Sequence, residues 1–286
     1  MRPRSFLALI AMVCLAASFA CQPTPARVRI ATTTSVENSG LLAAIVPVFE
    51  RGSHVAVEVL AVGSGQAMNL LTRGEVAVGL THDPAREEAA LAAHVISGYE
   101  KIMFNQFVIV GPNADPAGVA HASNAADAFG RIAVSDAPFA SRGDGSGTFA
   151  REQYLWKLAV RRPSAERLLD TGQGMGGTLR VASERGAYTL TDRATFEQFR
   201  ASLRLTSLYA GDADLLNTYA IFIRADLQGA ERANAEALTR WFADGDGRRE
   251  IAAFAAHGQH VFTVWPAGTS RDRPADLPPV EFANAR

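Results

Sequence analysis

The stretch VRIATTTSVENSGLLAAIVPVF, residues 28–49, decides the predicted fold class. Its first four residues form a short apolar run typical of a buried strand, and hydroxyl side chains follow at residues 32–35. The apolar residues beyond that point recur at the spacing of one helix face: Leu41, Leu42, Ile45, Val46 and Phe49. The stretch therefore predicts a strand, a polar turn and a helix in succession, which is the repeating unit of an α/β fold.

The same order of strand and helix continues along the chain. Residues 55–62 and 76–80 have strand-like apolar runs, and a short helix between them ends at Gly74. Alternation of this kind predicts α/β layers with parallel strands. Two longer β-rich runs, residues 104–111 and 215–223, enclose a second alternating block.

Two long strands that enclose an inserted block predict two lobes joined by two crossovers. We expect lobe I over residues 27–108 and 216–264, and lobe II over residues 109–215. Residues 265–286 are rich in proline and charge, so we expect a loose C-terminal tail there. Ligands of open α/β sheets bind beyond the carboxyl ends of strands, so the cleft between the lobes is the expected site.

The N-terminus has the order of features found in an export signal: basic residues, an apolar run and small residues before Cys21. We expect residues 1–20 to be removed and residues 21–26 to form a tether. Cys21 either carries a lipid or becomes an ordinary N-terminus, and lipidation is the favoured alternative. The mature protein is then periplasmic or held at the membrane by its lipid. The other cysteine, Cys14, lies in the signal, so no internal disulfide is expected.

Composition and motif spacing exclude several function classes. The formal net charge is −1 and no basic stripe is present, so nucleic-acid binding is not expected. The chain has no G-x-x-x-x-G-K-[ST] motif, so it is not an ATPase subunit. Gly172, Gly174 and Gly177 fit the dinucleotide fingerprint, but they come late in the chain and lack its well-placed acid. The scattered histidines have no metal-ligand spacing, so neither a metal nor a cofactor is expected.

Four turns rich in glycine and hydroxyl groups follow predicted strands and open predicted helices. They are residues 32–35, 63–66, 141–148 and 172–178. Each brings unpaired backbone N–H groups and hydroxyl donors to a helix N-terminus, an arrangement that favours an anion. One such turn alone is more often an ordinary helix cap. The presence of four in one chain predicts an oxyanion site.

Arg142 is the strongest single candidate within these turns. Its guanidinium offers several fixed donors to an oxyanion. The alternative interpretation is an ion pair with Asp144, which is compatible with binding because the pair can orient the guanidinium. We expect His82, in T-H-D-P, to line the cleft or to be structural.

Seven motifs together resemble the tungstate-binding components of ABC transporters. They occur in the order T-T-T-S (32–35), V-G-S-G-Q-A (62–67), T-H-D-P (81–84), F-N-Q-F-V-I-V-G-P (104–112), A-P-F-x-S-R-G-D-G-S-G-T (137–148), T-G-Q-G-M-G-x-T-L (171–179) and G-A-Y-T-L-T-D-R (186–193). The resemblance covers residues 27–262. Because that family belongs with the type II periplasmic binding proteins, the resemblance implies two α/β lobes that close around a ligand.

The resemblance also implies which residues hold the oxyanion. Contacts are implied for Thr33, Thr34 or Ser35, for Ser64, for Arg142 and for Thr148, with Ser146 as a further candidate. The chain has Ser64 where some relatives have threonine, which keeps the hydroxyl donor. It has Gly145 where aspartate is frequent, which removes no donor. The resemblance further implies a monomeric, non-enzymatic importer subunit that works with a permease and an ATPase. Its cargo is tungstate or molybdate.

Phosphate is the alternative ligand, because residues 142–148 are similar to a phosphate-binding loop, R-x-D-G-S-G-T. Phosphate carries a proton at neutral pH, so its site needs a buried acceptor, and Asp144 is the acid expected to serve. An enzyme on the same fold is a remote alternative, since the turns are poor in the carboxylates that acid–base catalysis needs. A non-transport sensor or structural lipoprotein would keep the fold without the donors.

Overall fold

The computed structural model describes residues 26–256, 258–274 and 277. The predicted export signal, the lipid-anchor candidate Cys21 and most of the predicted tether lie outside the described residues. Within the described part, no helix combines the length and the apolar character that crossing a bilayer requires.

The first part of the chain builds one side of a central sheet and the helices that cover it. Its elements are the strands β1 (Arg27–Thr33), β2 (Ala56–Val62) and β3 (Val78–Thr81) and the helices α1 (Thr34–Asn38), α2 (Leu41–Ser53), α3 (Ser64–Thr72) and α4 (Pro84–Ala92). β1 lies between β2 and β3 and runs parallel to both. The apolar face of α2 is buried, and Gly40, with a φ of 78°, lets the chain turn sharply from α1 into α2.

Two long strands connect this sheet to the rest of the chain. β4 (Ile96–Gly111) and β9 (Leu216–Arg224) pair antiparallel with each other, and β9 also pairs antiparallel with β3. β4 pairs with β9 as far as Gln106, and from Phe107 onward it pairs with strands of the second block. The predicted parallel pairing holds for β1, β2 and β3, whereas the two crossover strands run antiparallel because β4 leaves the first sheet and β9 returns to it.

The second block adds strands to the far end of β4 and surrounds them with helices. Its elements are the strands β5 (Phe139–Ser141), β6 (Leu168–Asp170), β7 (Thr189–Asp192) and β8 (Thr206–Tyr209) and the helices α5 (Ala125–Val134), α6 (Gly147–Ala159), α7 (Met175–Arg185) and α8 (Arg193–Phe199). β7 and β8 run antiparallel to β4, whereas β5 and β6 are parallel to each other. Phe129, Phe139 and Trp156 form the centre of this block, with ring centroids 4.3 to 5.6 Å apart.

Separate hydrophobic cores stabilise the two ends of the molecule. One core packs α2 against β1 and β3 and includes Ile45 and Val78. Another surrounds Trp156 and includes Phe107 and Ile109 from the far end of β4. The chain therefore has the predicted α/β architecture of two lobes joined by two crossover strands. The lobe bounds given above stay a prediction.

The C-terminal part returns to the first lobe. It contains α9 (Gly229–Ala243), α10 (Asp246–Ala253), β10 (Ala255–Ala256), β11 (Gln259–His260) and β12 (Thr263–Val264). β12 pairs antiparallel with β4 at Met103 and Phe104 and so extends the central sheet. Gly245 separates α9 from α10.

The residues that follow β12 pack against lobe I. Trp265 is fully buried with its ring edge-on to Phe104, and its amide donates to the Ile102 carbonyl at 2.9 Å. Lys101, also buried, donates from Nζ to the Pro274 carbonyl at 2.6 Å. The expectation of a loose tail is therefore wrong for residues 265–274, because one docked indole outweighs their polar composition. The last residues, 278–286, lie outside the described part.

Candidate functional site

The turns that follow β2 and β5 meet in the cleft between the lobes. The Gly147 amide, at the start of α6, donates to Ser64 Oγ at 3.3 Å, although the two residues are 83 positions apart. The Gly65 amide donates to the Gly145 carbonyl at 3.4 Å. Two of the four predicted donor turns, one from each lobe, are thus in direct contact.

The other two turns reach the same place. Arg142 Nη2 lies 3.5 Å from Oγ1 of Thr34, the first residue of α1 and the one directly after β1. A Cβ atom built on Gly174, in the turn before α7, would lie 3.6 Å from the same threonine oxygen. All four turns identified in the sequence therefore converge at one end of the strands.

Arg142 is buried and held in one orientation by Asp144. Its side chain is 3% exposed, and its Nε and Nη2 atoms lie 3.1 and 2.6 Å from Asp144 Oδ2. The other Asp144 oxygen accepts hydrogen bonds from the amide and the hydroxyl of Ser146. Both oxygens of Asp144 are therefore occupied, and within the described residues the Arg142 Nη1 group has no hydrogen-bond partner.

Two predicted ligand residues have buried hydroxyl groups without a partner in the described part of the chain. Ser35 and Thr148 are each 1% exposed, and neither Ser35 Oγ nor Thr148 Oγ1 makes a hydrogen bond there. A buried hydroxyl without a partner costs about 1–3 kcal/mol. Such groups are rare in folded proteins and need an explanation, and an anion that accepts from both hydroxyls supplies one.

The remaining predicted site residues differ in how many of their hydrogen-bonding groups already have partners within the protein. Thr33 Oγ1 accepts from the Val36 amide and Ser64 Oγ accepts from the Gly147 amide, so each keeps its own proton to donate. Ser146 donates to Asp144 and also accepts from an amide in α6. Ser146 therefore stabilises its own loop, whereas the hydroxyl protons of Thr33 and Ser64 have no acceptor among the described residues.

Asp192 is a buried acid in the cleft that the sequence analysis did not select. Its Oδ1 atom accepts from the Thr195 amide at 2.9 Å, and its Oδ2 atom is buried without a partner in the described residues. Burial raises the pKa of Asp192, against the lowering effects of Thr195, Ser35 and Arg142. The signal that could have found it is T-L-T-D-R, where a strand ends on a polar residue that opens a helix.

His82 lies beneath Gly147 and is held in its neutral form. Its Nδ1 atom lies 2.9 Å from Asn217 Oδ1, while Asn217 Nδ2 donates to Asn105 and Tyr219 on the crossover strands. Nδ1 is therefore the protonated nitrogen, and Nε2 is buried without a partner in the described residues. Burial lowers the pKa of His82 to about 4, and Arg142 adds to the lowering while Asp83 opposes it.

The helix N-termini add positive potential to this cleft. α3 begins at Ser64 and α6 begins at Gly147, so the positive ends of two helices from different lobes meet where their first residues touch. Together with the Arg142 guanidinium and the free hydroxyl protons, they offer an environment made of donors. Such an environment can bind a small anion that has no proton of its own.

One cavity of the described structure lies apart from this arrangement, and a second reaches it from one side. A cleft of about 560 Å³ is lined by residues such as Arg193, Phe196 and Tyr209 and contains none of the predicted site residues. A cavity of about 250 Å³ reaches His82 and Gly147 from the side of the crossover strands. The side-chain donors of the convergent turns are almost completely buried, and such an arrangement suits the tight binding of a small anion.

Two α/β lobes joined by two crossover strands, with buried donors from both lobes between them, define a two-lobed solute-binding protein. A family model described as a PBP superfamily domain matches residues 20–246. The chain belongs to this superfamily of periplasmic binding proteins. The family resemblance carried by the seven sequence motifs is thereby confirmed, together with the predicted fold class.

Three relatives are similar over most of their length. The tungstate-binding protein TupA of Peptoclostridium acidaminophilum is 34% identical over 241 residues, which are 82% of this chain and 84% of that protein. The crystal structure of the tungstate ABC transporter from Geobacter sulfurreducens has a TM-score of 0.73 and 39% identity, covering 80% of this chain and 98% of that chain. The tungstate binding protein TupA from Desulfovibrio alaskensis G20 has a TM-score of 0.71 and 37% identity, covering 84% and 98%.

Proposed function

We propose that this protein is the extracytoplasmic solute-binding protein of an ABC importer and that it binds tungstate between its two lobes. The observation that carries the proposal is the set of unused donors around Arg142. Its Nη1 group has no hydrogen-bond partner in the described residues, and the hydroxyls of Ser35 and Thr148 are buried there without a partner of good geometry. Relatives at 34 to 39% identity are named for tungstate.

The chemistry of the donor set suits a fully ionised tetrahedral anion. Tungstate at neutral pH is a dianion with no proton to donate, so each of its oxygens needs a donor. Hydrogen bonds from a guanidinium to an anion are about twice as strong as neutral ones. Arg142, oriented by Asp144, would supply the charge, and the surrounding hydroxyls and helix amides would supply the remaining donors.

The ligand set that we propose is the one expected from the sequence, except that Ser146 does not contact the ligand directly. Direct contacts come from Thr33, Thr34, Ser35, Ser64, Arg142 and Thr148. Ser146 acts indirectly, because its hydroxyl is committed to Asp144. The oxyanion is cargo, so the function needs neither a cofactor nor a catalytic group.

Ligand binding would favour a closed arrangement of the lobes. Arg86, in α4, donates to the Gly145 carbonyl at 3.0 Å across the cleft and is itself paired with Asp83. Arg142 meets Thr34, and Ser64 meets the start of α6, in the same way. An anion that accepts from both lobes adds contacts that an open form lacks, which is the condition for ligand-driven closure.

Phosphate is a weaker candidate than tungstate. Hydrogen phosphate needs an acceptor for its proton, and the acid expected to serve, Asp144, already uses both oxygens. Molybdate has the same charge and shape as tungstate, so the same donors would hold it. We therefore propose tungstate as the ligand with molybdate as a competitor.

The proposed partners follow from this role. The closed protein would deliver its anion, as a monomer, to a permease that is driven by an ATPase subunit. Export by residues 1–20 and a lipid on Cys21 would keep it outside the cytoplasmic membrane, either tethered or free in the periplasm.

Titration calorimetry with tungstate, molybdate, phosphate and sulfate tests the proposal. We expect tungstate to bind most tightly, and Arg142→Ala to lose about 100-fold or more in affinity, since bonds to charged groups contribute about 1.5–3 kcal/mol each. Arg161→Ala removes an exposed arginine just beyond the C-terminal end of α6 and is the matched control. Unchanged tungstate binding by a folded Arg142→Ala protein would remove this residue from the site.

A further inference from the structure

Asp192 presents a buried carboxyl with one uncommitted oxygen. The residue ends β7, is fully buried, and caps α8 through Oδ1. Its Oδ2 atom makes no hydrogen bond of good geometry to any described residue, and the Ser35 hydroxyl lies near the carboxyl. The Thr195 amide and the Thr195 and Ser35 hydroxyls favour an ionised Asp192, but burial outweighs them and raises its pKa. A proton on that oxygen would turn it into a hydrogen-bond donor.

Three groups from other elements face this carboxyl. The Ser35 hydroxyl, at the start of α1, interacts with the Asp192 carboxyl closely enough to lower its pKa, although the two groups lie outside good hydrogen-bond geometry. The Arg142 charge acts in the same direction but is already paired with Asp144. On β9, Tyr219 has its pKa raised by the neighbouring Asp192 as well as by burial. No unshared cation in the described structure faces Asp192.

We propose that Asp192 is protonated when the cleft closes on an oxyanion, that it donates this proton in a hydrogen bond to the ligand, and that binding is thereby coupled to proton uptake. This inference rests on the proposed function, since it requires an oxyanion beside Ser35 and Arg142. It adds an acidic residue to a ligand set otherwise made of hydroxyls, amides and a guanidinium.

Electrostatics favours the protonated form at each step. In the free protein, burial raises the pKa of Asp192 above its usual range despite the opposing Thr195 amide, Ser35 and Arg142. A dianion placed next to the carboxyl raises it further, because two like charges that share a buried site cannot both stay ionised. The bound protein therefore holds its proton up to a higher pH than the free protein does.

The same proton gives the cleft its preference among oxyanions. A protonated Asp192 has Oδ1 engaged by Thr195 and can only donate from Oδ2. Both oxygens of Asp144 are also occupied. Neither acid can accept a proton from hydrogen phosphate, so the cleft should select tetrahedral dianions that are fully ionised.

Calorimetry of tungstate binding between about pH 6 and about pH 10 tests the proposal, with buffers of different ionisation heat to count protons. We expect the affinity of the unmodified protein to fall as pH rises, approaching about tenfold per pH unit once the free carboxyl ionises. The number of protons taken up should rise toward one over the same range. The proton count needs no variant, so it decides the question even if a substitution prevents folding.

Asp192→Asn provides the matched comparison. An asparagine keeps the helix cap and offers an N–H donor that does not titrate. We expect this variant to bind tungstate with little pH dependence, and more tightly than the unmodified protein at the alkaline end. Asp212→Asn, at another capping aspartate that accepts from the Asp214 amide at 2.8 Å, should behave as the unmodified protein does.

Each contrary outcome has a distinct meaning. Tungstate binding with a flat pH profile and no proton uptake overturns this inference and leaves the proposed function standing. Absence of tungstate binding at every pH overturns both. A pH dependence that persists in Asp192→Asn overturns it as well and assigns the proton to another group, such as Glu152, whose pKa burial raises to about 7. His82, with a pKa of about 4, does not titrate in this range.

Discussion

Replacing Gly147 with alanine should weaken ligand binding by opposing closure of the cleft. A Cβ atom at this position would lie 2.7 Å from the His82 carbonyl oxygen and 3.0 Å from two atoms of its ring. Gly147 begins α6 in the second lobe, whereas His82 follows β3 in the first. The clash is with backbone, so it cannot be relieved by a change of rotamer, and it exists only while the lobes are in contact.

The size of the effect follows from the cost of overpacking. Inserting a methyl group into a close contact costs about 1–3 kcal/mol. If that cost falls on the closed form alone, the dissociation constant for tungstate rises by about 5- to 150-fold. The Ser64 contact of the Gly147 amide would be strained in the same state. The open form bears none of this cost, so the ligand-free protein should keep its stability.

Calorimetry and urea unfolding of the ligand-free protein separate these effects. The matched control is Gly130→Ala in α5, where nothing lies within 4 Å of the added carbon. That variant should gain about 0.5–1 kcal/mol of stability from helix propensity and bind tungstate normally. An unchanged dissociation constant for Gly147→Ala would show that the added methyl group does not oppose closure, and an equal loss of stability in the ligand-free protein would show that its cost is not confined to the closed form.

Two further substitutions test how burial controls stability. The Glu152 carboxyl accepts from Ser141 Oγ at 2.8 and 2.9 Å and from Trp156 Nε1 at 3.2 Å, and burial raises its pKa from 4.5 to about 7. The folded state thus keeps a proton that the unfolded state releases, so the free energy of unfolding falls as pH rises from about 4.5 through about 7. Glu152→Gln should remove this loss and be about 2–3 kcal/mol more stable than the unmodified protein at about pH 8 in urea titrations. Parallel pH profiles of stability for the two proteins would contradict this prediction. Trp265→Ala should cost about 3–5 kcal/mol of stability, because it empties a fully buried site on lobe I. Tungstate affinity should stay the same, because the indole packs against Phe104 and Lys101, outside the four donor turns. An unchanged urea midpoint would show that the docked segment adds no stability.

The sequence predicts the α/β class and the donor turns because both depend on local patterns. The apolar spacing in α2 and the polar residues that open α3 and α6 are visible within a few positions. Arg142 and Asp144 are only two positions apart, so their ion pair can also be predicted from the sequence. The fold class and the family resemblance are confirmed, and the contacts of individual residues with the ligand stay a prediction.

Other features depend on where distant segments pack. Asp192 looks like an ordinary helix cap in sequence, and it becomes notable only because β7 buries its second oxygen in the cleft. The segment after β12 looks polar, yet Trp265 docks against Phe104, which lies far earlier in the chain. The antiparallel course of β4 and β9 follows from a return path between lobes that local periodicity does not encode.

By itself, the sequence determined that strands and helices alternate and that hydroxyl-rich turns open several of the helices, because backbone propensity and capping act between near neighbours. The tertiary structure decided which of those hydroxyls remain free and which acid loses its contact with water. Those outcomes depend on atoms brought together from far apart, such as Arg142 and Thr34, which are separated by 108 positions. Hydrogen bonding and desolvation act over a few ångströms in space, whatever the distance along the chain.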